Sequence, residues 1–114
     1  MNRLLFFLCL LAASATTMAQ KVYSTDHEYQ ADVNVYVVDH EYQADLLVYS
    51  ADHEYDAEGN EGKWYFVDHE YQADVRVYFV DHEYQADLTV YFVRQEYNAG
   101  WRNRSKMYLM YKSN

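Results

Sequence analysis

Residues 33–45 read VNVYVVDHEYQAD, and this unit decides the fold because the chain repeats it in tandem. The string Asp-His-Glu-Tyr occurs five times, and a degenerate sixth copy begins at Arg94. Successive copies lie 13 residues apart except at one step of 16 residues. The five intact copies begin at Asp26, Asp39, Asp52, Asp68 and Asp81. A short fixed period is typical of architectures in which each unit packs on its neighbours.

Each unit alternates apolar side chains with other side chains, as strands do. In one copy Val75, Val77 and Phe79 share one side, whereas Arg76 and Tyr78 share the other. The β-branched and aromatic content also favours strands over helices. The apolar side is predicted to face the core, and in two further copies it comprises Val33, Val35, Val37, Leu88, Val90 and Phe92.

An odd period reverses the two faces in each copy unless a turn or bulge restores the phase. The Ala-Asp pair before each new strand is the predicted turn, because Asp tolerates left-handed backbone. Residues 58–62 hold two of the three glycines and are predicted to form a loop. The chain has no proline. Few glycines and no proline disfavour tight hairpins, and 13 residues are too few for a propeller blade.

These features predict an all-β fold of intertwined or solenoid-like short-strand repeats in a single compact domain. The predicted domain spans residues 20–114. Its repeats are about 22–32, 33–45, 46–63, 64–74, 75–87 and 88–100, followed by a basic closing segment at 101–114. The alternating string MYLMY at 107–111 favours a closing strand that covers a sheet edge, with contact to another copy as the alternative.

Residues 1–19 have the order of a signal peptide. Arg3 precedes an apolar run, and small and polar residues follow it up to Ala19. The uncharged stretch at residues 4–19 is short for a membrane span, which needs about 20 apolar residues. Cleavage after Ala19 would also remove Cys9, the only cysteine, and with it thiol and cysteine-metal chemistry. We therefore predict an exported protein, periplasmic or secreted, without a stable membrane anchor after cleavage.

The composition predicts a folded acidic domain and argues against nucleic acid as a partner. The formal net charge is −9, while 51% of the residues are hydrophobic and 18% aromatic, so a folded acidic domain is expected. Residues 20–93 carry 17 acidic and 3 basic side chains, whereas residues 94–114 carry 1 and 5. Nucleic acid is not expected as a partner, because its phosphates would be repelled. Self-association stays open, and the sequence identifies no other partner.

Tandem VYxVDHEYQAD units that end in EYNAGW at residues 96–101 resemble a small family of uncharacterised proteins, the septoil-knot family. The resemblance covers about residues 22–101. It implies a deeply knotted, seven-crossing all-β fold in which two courses of strands are intertwined within one compact body. It implies no activity, because the family has none established. The export signal, the insertion at residues 58–62 and the basic tail at 102–112 depart from the family pattern.

The repeated histidines carry the alternative hypothesis of a divalent-cation site. They are His27, His40, His53, His69 and His82. Imidazole and carboxylate are ligands for zinc, copper and manganese, but neighbours in a strand point to opposite faces, so several copies would have to converge. The preferred interpretation is an internal hydrogen-bond network of the repeated Asp, His, Glu and Tyr. In that interpretation there is no cofactor and no metal.

An enzyme is not expected, because five or six near-identical sites do not provide the two unlike carboxylates of a glycosidase. The sequence also lacks a phosphate loop and a nucleophile elbow. All but two of the 14 tyrosines recur in two positions of the unit. Buried tyrosines would be core residues, and this is the preferred interpretation, whereas exposed ones would form an adhesive or sugar-stacking surface. We expect a structural or binding protein of unknown ligand, with cation binding and self-association as alternatives.

Overall fold

The structure is a computed structural model that describes residues 20–111. Within this part of the chain, short strands alternate with 3₁₀ turns, which confirms the all-β prediction. The strands are β1 (Lys21–Ser24), β2 (Val33–Val37), β3 (Leu46–Ser50), β4 (Lys63–Phe66), β5 (Val75–Phe79), β6 (Leu88–Val93) and β7 (Gly100–Trp101). The 3₁₀ segments are Glu28–Gln30, Glu41–Gln43, Glu54–Asp56, Glu70–Gln72, Glu83–Gln85, Glu96–Asn98 and Arg104–Met110. The predicted signal peptide lies outside the described residues.

Strands β1–β6 form a closed ring of parallel strands in the order β4-β1-β5-β2-β6-β3, in which β3 also pairs with β4. The chain therefore passes around the ring twice, first through β1, β2 and β3 and then through β4, β5 and β6. The strands of the second passage alternate with those of the first. The short β7 pairs antiparallel with the start of β3. This interleaving is the intertwined arrangement that the sequence predicts.

The register of the ring explains how short connections can join consecutive parallel strands, such as β1 and β2. Val77 of β5 pairs with Ser24 at the end of β1 and with Val33 at the start of β2. The end of β1 is therefore level with the start of β2, although β5 lies between them. The same holds at Val90, which pairs with both Val37 and Leu46. Parallel strands ordinarily need a crossover of about a dozen residues or more. Here the connection only has to step over one strand.

The interior of the ring is filled by the apolar side of the strands, as predicted. The buried cluster contains Val22, Val33, Val35, Leu46, Val48, Trp64, Val75, Val77, Leu88, Val90, Trp101 and Met110, and Phe66, Phe79 and Phe92 pack against it. The prediction for Val37 is wrong, because its side chain is 42% exposed and the following Val38 is buried instead. The alternation stops at Val37 since the chain there begins its step over β6.

The predicted Ala-Asp turn is also wrong. Among the described residues only glycines have positive φ, and the turn is the 3₁₀ segment before the Ala-Asp pair. The Asp instead joins two strands. The N–H of Asp32 donates to the Arg76 carbonyl at 2.8 Å, and the Arg76 N–H donates to the Asp32 carboxylate at 2.9 Å. The same reciprocal pair links Asp45 with Thr89, Asp74 with Lys21 and Asp87 with Asn34.

The loop at residues 58–62 is confirmed, and it lies against the closing segment. Gly62 has φ +84°, and a Cβ there would collide with the Leu47 carbonyl oxygen. Asn60 accepts a hydrogen bond from Trp101 Nε1 at 2.9 Å and donates one to the Met107 carbonyl at 3.0 Å. The insertion therefore contacts the closing segment at several points.

The closing strand predicted at residues 107–111 is wrong. Residues 107–110 belong to the 3₁₀ segment Arg104–Met110, and only Gly100–Trp101 extends the sheet. Met110 is fully buried, and Met107 and Leu109 pack partly against the core. The strand pattern fails here because the segment contacts the apolar interior of the ring through a few side chains and does not pair with a sheet edge along its length. Its charges hold it to the acidic body, since Lys106 contacts Asp45 and Arg104 contacts Glu61.

Candidate binding surface

Each repeated unit forms one 3₁₀ turn on the outside of the ring, with the sequence Glu-Tyr-Gln in four copies, Glu-Tyr-Asp at Glu54–Asp56 and Glu-Tyr-Asn at Glu96–Asn98. In the second unit the N–H of Gln43 donates to the His40 carbonyl and the N–H of Ala44 to the Glu41 carbonyl, at 3.0 and 3.1 Å. The Gln43 side chain in turn accepts from the N–H of His40 at 3.2 Å. Such i→i+3 bonds are typical of single 3₁₀ turns. The turn is therefore closed by its own residues.

The tyrosine of each turn is exposed, which corrects the preferred interpretation that these tyrosines are buried. The least exposed of the six is 70% exposed and the most exposed is 84% exposed. They are Tyr29, Tyr42, Tyr55, Tyr71, Tyr84 and Tyr97. The other repeated tyrosine, which lies within the strand, is only partly buried in every copy. Exposed large aromatic side chains in a repeated arrangement are a recognised sign of an interaction surface.

Each histidine stacks on the tyrosine two residues later. The ring centroids of the five pairs lie 5.0 to 5.5 Å apart, with interplanar angles from 6° to 27°. Aromatic pairs at such distances are attractive. The pairs are His27–Tyr29, His40–Tyr42, His53–Tyr55, His69–Tyr71 and His82–Tyr84. One face of each tyrosine is thus supported by its histidine, and this orients the ring.

The structure does not bring the predicted ligands of the metal hypothesis together. All five histidines are exposed, and within residues 20–111 no three His, Cys, Asp or Glu side chains form a group that could hold a metal ion. Every Asp, His, Glu and Tyr of the five intact motifs is exposed, so these residues do not form a buried cluster. The motif therefore builds a surface, because its 3₁₀ turn stands on the outside of the ring.

The turns lie over the outer faces of strands from the other passage. The turn Glu41–Gln43 contacts β6, the turn Glu70–Gln72 contacts β1 and the turn Glu83–Gln85 contacts β2. The Thr89 hydroxyl in β6 donates to the Gln43 carbonyl at 3.3 Å. Each of these turns crosses over a strand of the other passage, and this crossing interleaves the two passages. Because the turns cross on the outside, their exposed tyrosines are arranged around the outside of the ring.

Two turn carboxylates form ion pairs with basic side chains of the strands. Arg76 lies between Asp32, at 3.1 Å, and Glu70, at 3.5 Å. Asp32, through hydrogen bonds and charge, and then Glu70 raise the pKa of the Arg76 guanidinium. Desolvation opposes this only in part. At another turn Lys63 lies 3.4 Å from Glu96. In these two turns the Glu forms an ion pair with a basic side chain of a strand.

Asp45 is one of two carboxylates, together with Glu61, that form ion pairs between the body and the closing segment. Burial on its own raises the pKa of Asp45, but hydrogen bonds from the Thr89 backbone and from Lys106, Thr89 and Asn103 side chains hold it below its usual value. The Asn103 amide donates to Asp45 at 3.3 Å, so this side chain also links the closing segment to the body. Sequence reasoning missed Asp45, because nothing in a repeat distinguishes one copy of an Asp from another.

Two open grooves accompany the turns. The larger, of about 700 Å³, is lined by Tyr29 of a turn and Tyr78 of a strand, together with Asn34, Glu28 and Asp87. The smaller, of about 360 Å³, is likewise lined by a turn tyrosine and a strand tyrosine, Tyr71 and Tyr65, and by Lys21. Sequence reasoning missed these grooves. The sequence did contain one signal for them: the Glu of a turn precedes a polar residue of the next strand by six residues, as Glu28 precedes Asn34 and Glu70 precedes Arg76.

The described part of the chain contains no helix that is long and apolar enough to cross a membrane. Comparisons with curated proteins and with solved structures gave no match. A family model described as the 7(1) septoil knot domain matches residues 19–102, which is most of the chain. The match spans all seven strands and six of the turns, including the interleaved ring. The chain therefore belongs to the septoil-knot domain family.

Proposed function

We propose that this protein is a non-catalytic binding domain whose contact surface is the set of six exposed turn tyrosines. The observation that carries the proposal is their exposure, at least 70% in every copy. A tyrosine contributes a large, rigid contact area at low entropic cost, and for this reason it is enriched in binding surfaces. A folding requirement does not explain the exposure, since these side chains lie outside the core.

Repetition suits this role better than catalysis. All six turns present an exposed Glu and an exposed Tyr on a 3₁₀ segment, and five of them add a histidine stacked on the Tyr, so a partner with repeated features can contact several of them together. Weak contacts combined in this way give high overall affinity, because each later contact forms at a high effective concentration. An enzyme site, in contrast, needs groups with unlike environments. The carboxylates of the turns are exposed and alike, apart from the ion pairs already described.

The test compares two sets of exposed tyrosines. Tyr42, Tyr55, Tyr84 and Tyr97 are changed to Ser on the turns, and Tyr108 and Tyr111 are changed to Ser on the closing segment as a control. Binding is measured to an arginine-rich peptide, a glutamate-rich peptide, dextran and anionic vesicles, and self-association is measured by sedimentation. We expect the wild type to bind at least one probe. The turn variant should lose about 1 kcal/mol of binding free energy for each contacting tyrosine, while the control retains binding.

The proposal is overturned if the wild type neither binds a probe nor self-associates. It is also overturned if the turn variant binds as well as the control does. Circular dichroism and tryptophan fluorescence should be the same in all variants, because Trp64 and Trp101 are buried in the core cluster and none of the substituted tyrosines belongs to that cluster. Loss of binding with a changed spectrum would point to misfolding, and single Tyr→Ser variants would then replace the multiple one.

Self-association is the second candidate, and the same exposed tyrosines favour it. Edge pairing receives no support, because the six parallel strands close on one another. Contacts between copies would have to run through the turns or through the basic closing segment. The sedimentation measurement above separates this candidate, since a self-associating protein would show a concentration-dependent mass. The turn variant would lose it if the contacts run through the turns, and the Tyr108 and Tyr111 variant would lose it if they run through the closing segment.

We further propose that the domain acts outside the cytoplasm after export. The order of residues 1–19 supports this, and the fold offers a second argument. Gln20, the first residue after the predicted cleavage site, is already buried and donates from its side chain to the Met110 carbonyl at 2.8 Å. In an exporting bacterial host, the mature protein should start at Gln20 and appear outside the cytoplasm. N-terminal sequencing checks this, and an intact start at Met1 would refute it.

A further inference from the structure

We propose that the groove beside Asn34 binds the guanidinium or ammonium group of a basic polypeptide side chain. This inference rests on the proposed binding function and names the partner of one part of that surface. It comes from comparing equivalent positions of the repeat. Asn34 and Arg76 occupy the same place in their units, the second residue of β2 and of β5. Their surroundings match closely, but only one of them carries a positive charge.

The Arg76 position shows how the repeat holds a cation. The backbone of Arg76 exchanges hydrogen bonds with Asp32 of the other passage, and its guanidinium lies between the Asp32 and Glu70 carboxylates at 3.1 and 3.5 Å. Glu70 precedes Arg76 by six residues, which places the turn carboxylate beside the strand side chain. A guanidinium held by two carboxylates is a strong charge-assisted arrangement.

The Asn34 position repeats this pair of carboxylates. The backbone of Asn34 exchanges hydrogen bonds with Asp87 at 2.8 and 2.9 Å, as Arg76 does with Asp32. Glu28 precedes Asn34 by six residues, as Glu70 precedes Arg76, and it accepts a hydrogen bond from the Asn34 amide at 2.9 Å. Asn34 is neutral, so neither carboxylate is compensated by the strand residue between them.

The third equivalent position supports the same conclusion. Thr89 occupies it in β6, and its partner Asp45 receives a cation from elsewhere, since Lys106 Nζ lies 3.2 Å from the Asp45 carboxylate. The fold thus supplies a cation from the strand at one position and from the closing segment at another. At Asn34 none of the residues that line the groove is Lys or Arg.

The groove also has the shape and the aromatic walls that a basic side chain needs. It measures about 700 Å³, is open to solvent, and is lined by Tyr29 and Tyr78. Tyrosine faces attract guanidinium and ammonium groups through cation–π interaction. The carboxylates of Glu28 and Asp87, together with Asp26 at the rim, add charge of the required sign. A neutral sugar would stack on the rings but would bring no positive charge to these carboxylates.

The substitution Asn34→Arg tests the proposal, because it copies a residue that the fold already accommodates at Arg76. The new guanidinium should lie between Glu28 and Asp87 and compete with the ligand. We expect binding of a hexa-arginine peptide, measured by titration calorimetry at low salt, to weaken about tenfold. Gln95→Arg adds the same charge at an exposed position of another turn and is the matched control. It should change affinity less than twofold.

The reverse substitution, Arg76→Asn, removes the internal cation and should create a second groove of the same kind. The number of hexa-arginine binding sites should rise by one relative to the wild type. The inference is overturned if Asn34→Arg and Gln95→Arg weaken binding equally, or if neither does. It is also overturned if hexa-glutamate or dextran binds at the Asn34 groove. The proposed binding function would survive such results, provided that the turn tyrosine variants still lose binding to another probe.

Discussion

The repeated body and the closing segment both use 3₁₀ turns, but they orient their side chains in opposite directions. The turns of the six units bury none of their own residues, and their tyrosines project into solvent. The segment Arg104–Met110 buries Met110 completely and packs Met107 and Leu109 against the core. The charges differ as well, since the body is acidic and the closing segment is basic.

This difference shows how the chain divides its tasks. The ring of strands supplies most of the stability through its apolar interior. The closing segment adds apolar contacts to this interior through Met107, Leu109 and Met110. The turns carry the chain over a strand but bury none of their own side chains. Substitutions of their exposed side chains should therefore hardly change the free energy of unfolding. Substitutions between the closing segment and the ring should affect folding strongly.

The largest effect is expected at Gly62. A Cβ at this position would collide with the Leu47 carbonyl oxygen and would lie 3.2 Å from the Gly100 nitrogen. Backbone atoms cannot move aside cheaply, and φ +84° is itself unfavourable for alanine. We expect Gly62→Ala to lower the free energy of unfolding by about 4 kcal/mol, as strain and overpacking add. Urea unfolding followed by tryptophan fluorescence measures the effect.

Gly59→Ala is the matched control, because Gly59 also has positive φ but has no atom within 4 Å of the added Cβ. It should cost only the backbone term, about 1 kcal/mol. Equal losses for the two variants would contradict the role of the contact between the loop at residues 58–62 and the ring. A smaller loss at Gly62 than at Gly59 would contradict it still more directly.

The repeated body and the closing segment also differ in how well the sequence predicts their structure. The strands follow from alternation within the repeat, because side chains such as Val75 and Val77 must share a face in any extended chain. The order of the strands depends on pairings such as Val77 with Val33, which are long-range and leave no local signal. Residues 107–111 also alternate, yet they do not form a strand, since their position over the ring interior decides their conformation.

The candidate site was predictable only in part. The repeat identified the histidines and tyrosines as a set, but their exposure follows from the outward step of each 3₁₀ turn, which the sequence pattern does not show. The pairing of Glu28 with Asn34 depends on that turn, because in a straight strand two residues six apart lie about 20 Å from each other. The six-residue offset between Glu28 and Asn34 is visible in the sequence, but the contact between the two side chains follows only from the structure.

A smaller effect, dependent on pH, is expected at Asp45. The pKa of Asp45 is lowered in the folded protein, so its ionised form stabilises the fold above the unfolded-state pKa, near 3.8. This contribution is lost as the pH falls through the lower folded-state pKa. We expect Asp45→Asn to lower the free energy of unfolding by about 1.5 kcal/mol at pH 7, because charge-assisted bonds to Lys106 and Thr89 weaken.

The difference between Asp45→Asn and the wild type should start to shrink below the unfolded-state pKa, near 3.8, and should continue to shrink as the pH falls through the lower folded-state pKa, where the wild-type carboxyl becomes neutral. Asp87→Asn is the matched control, because Asp87 makes the same reciprocal backbone pair with Asn34 but has no basic side chain on its carboxylate among the described residues. Its loss at pH 7 should be smaller, since no ion pair is removed. Urea unfolding of the three proteins across the pH range gives the comparison. If the Asp45→Asn loss persisted unchanged at pH 3, the charge on Asp45 would not be what holds the closing segment to the body.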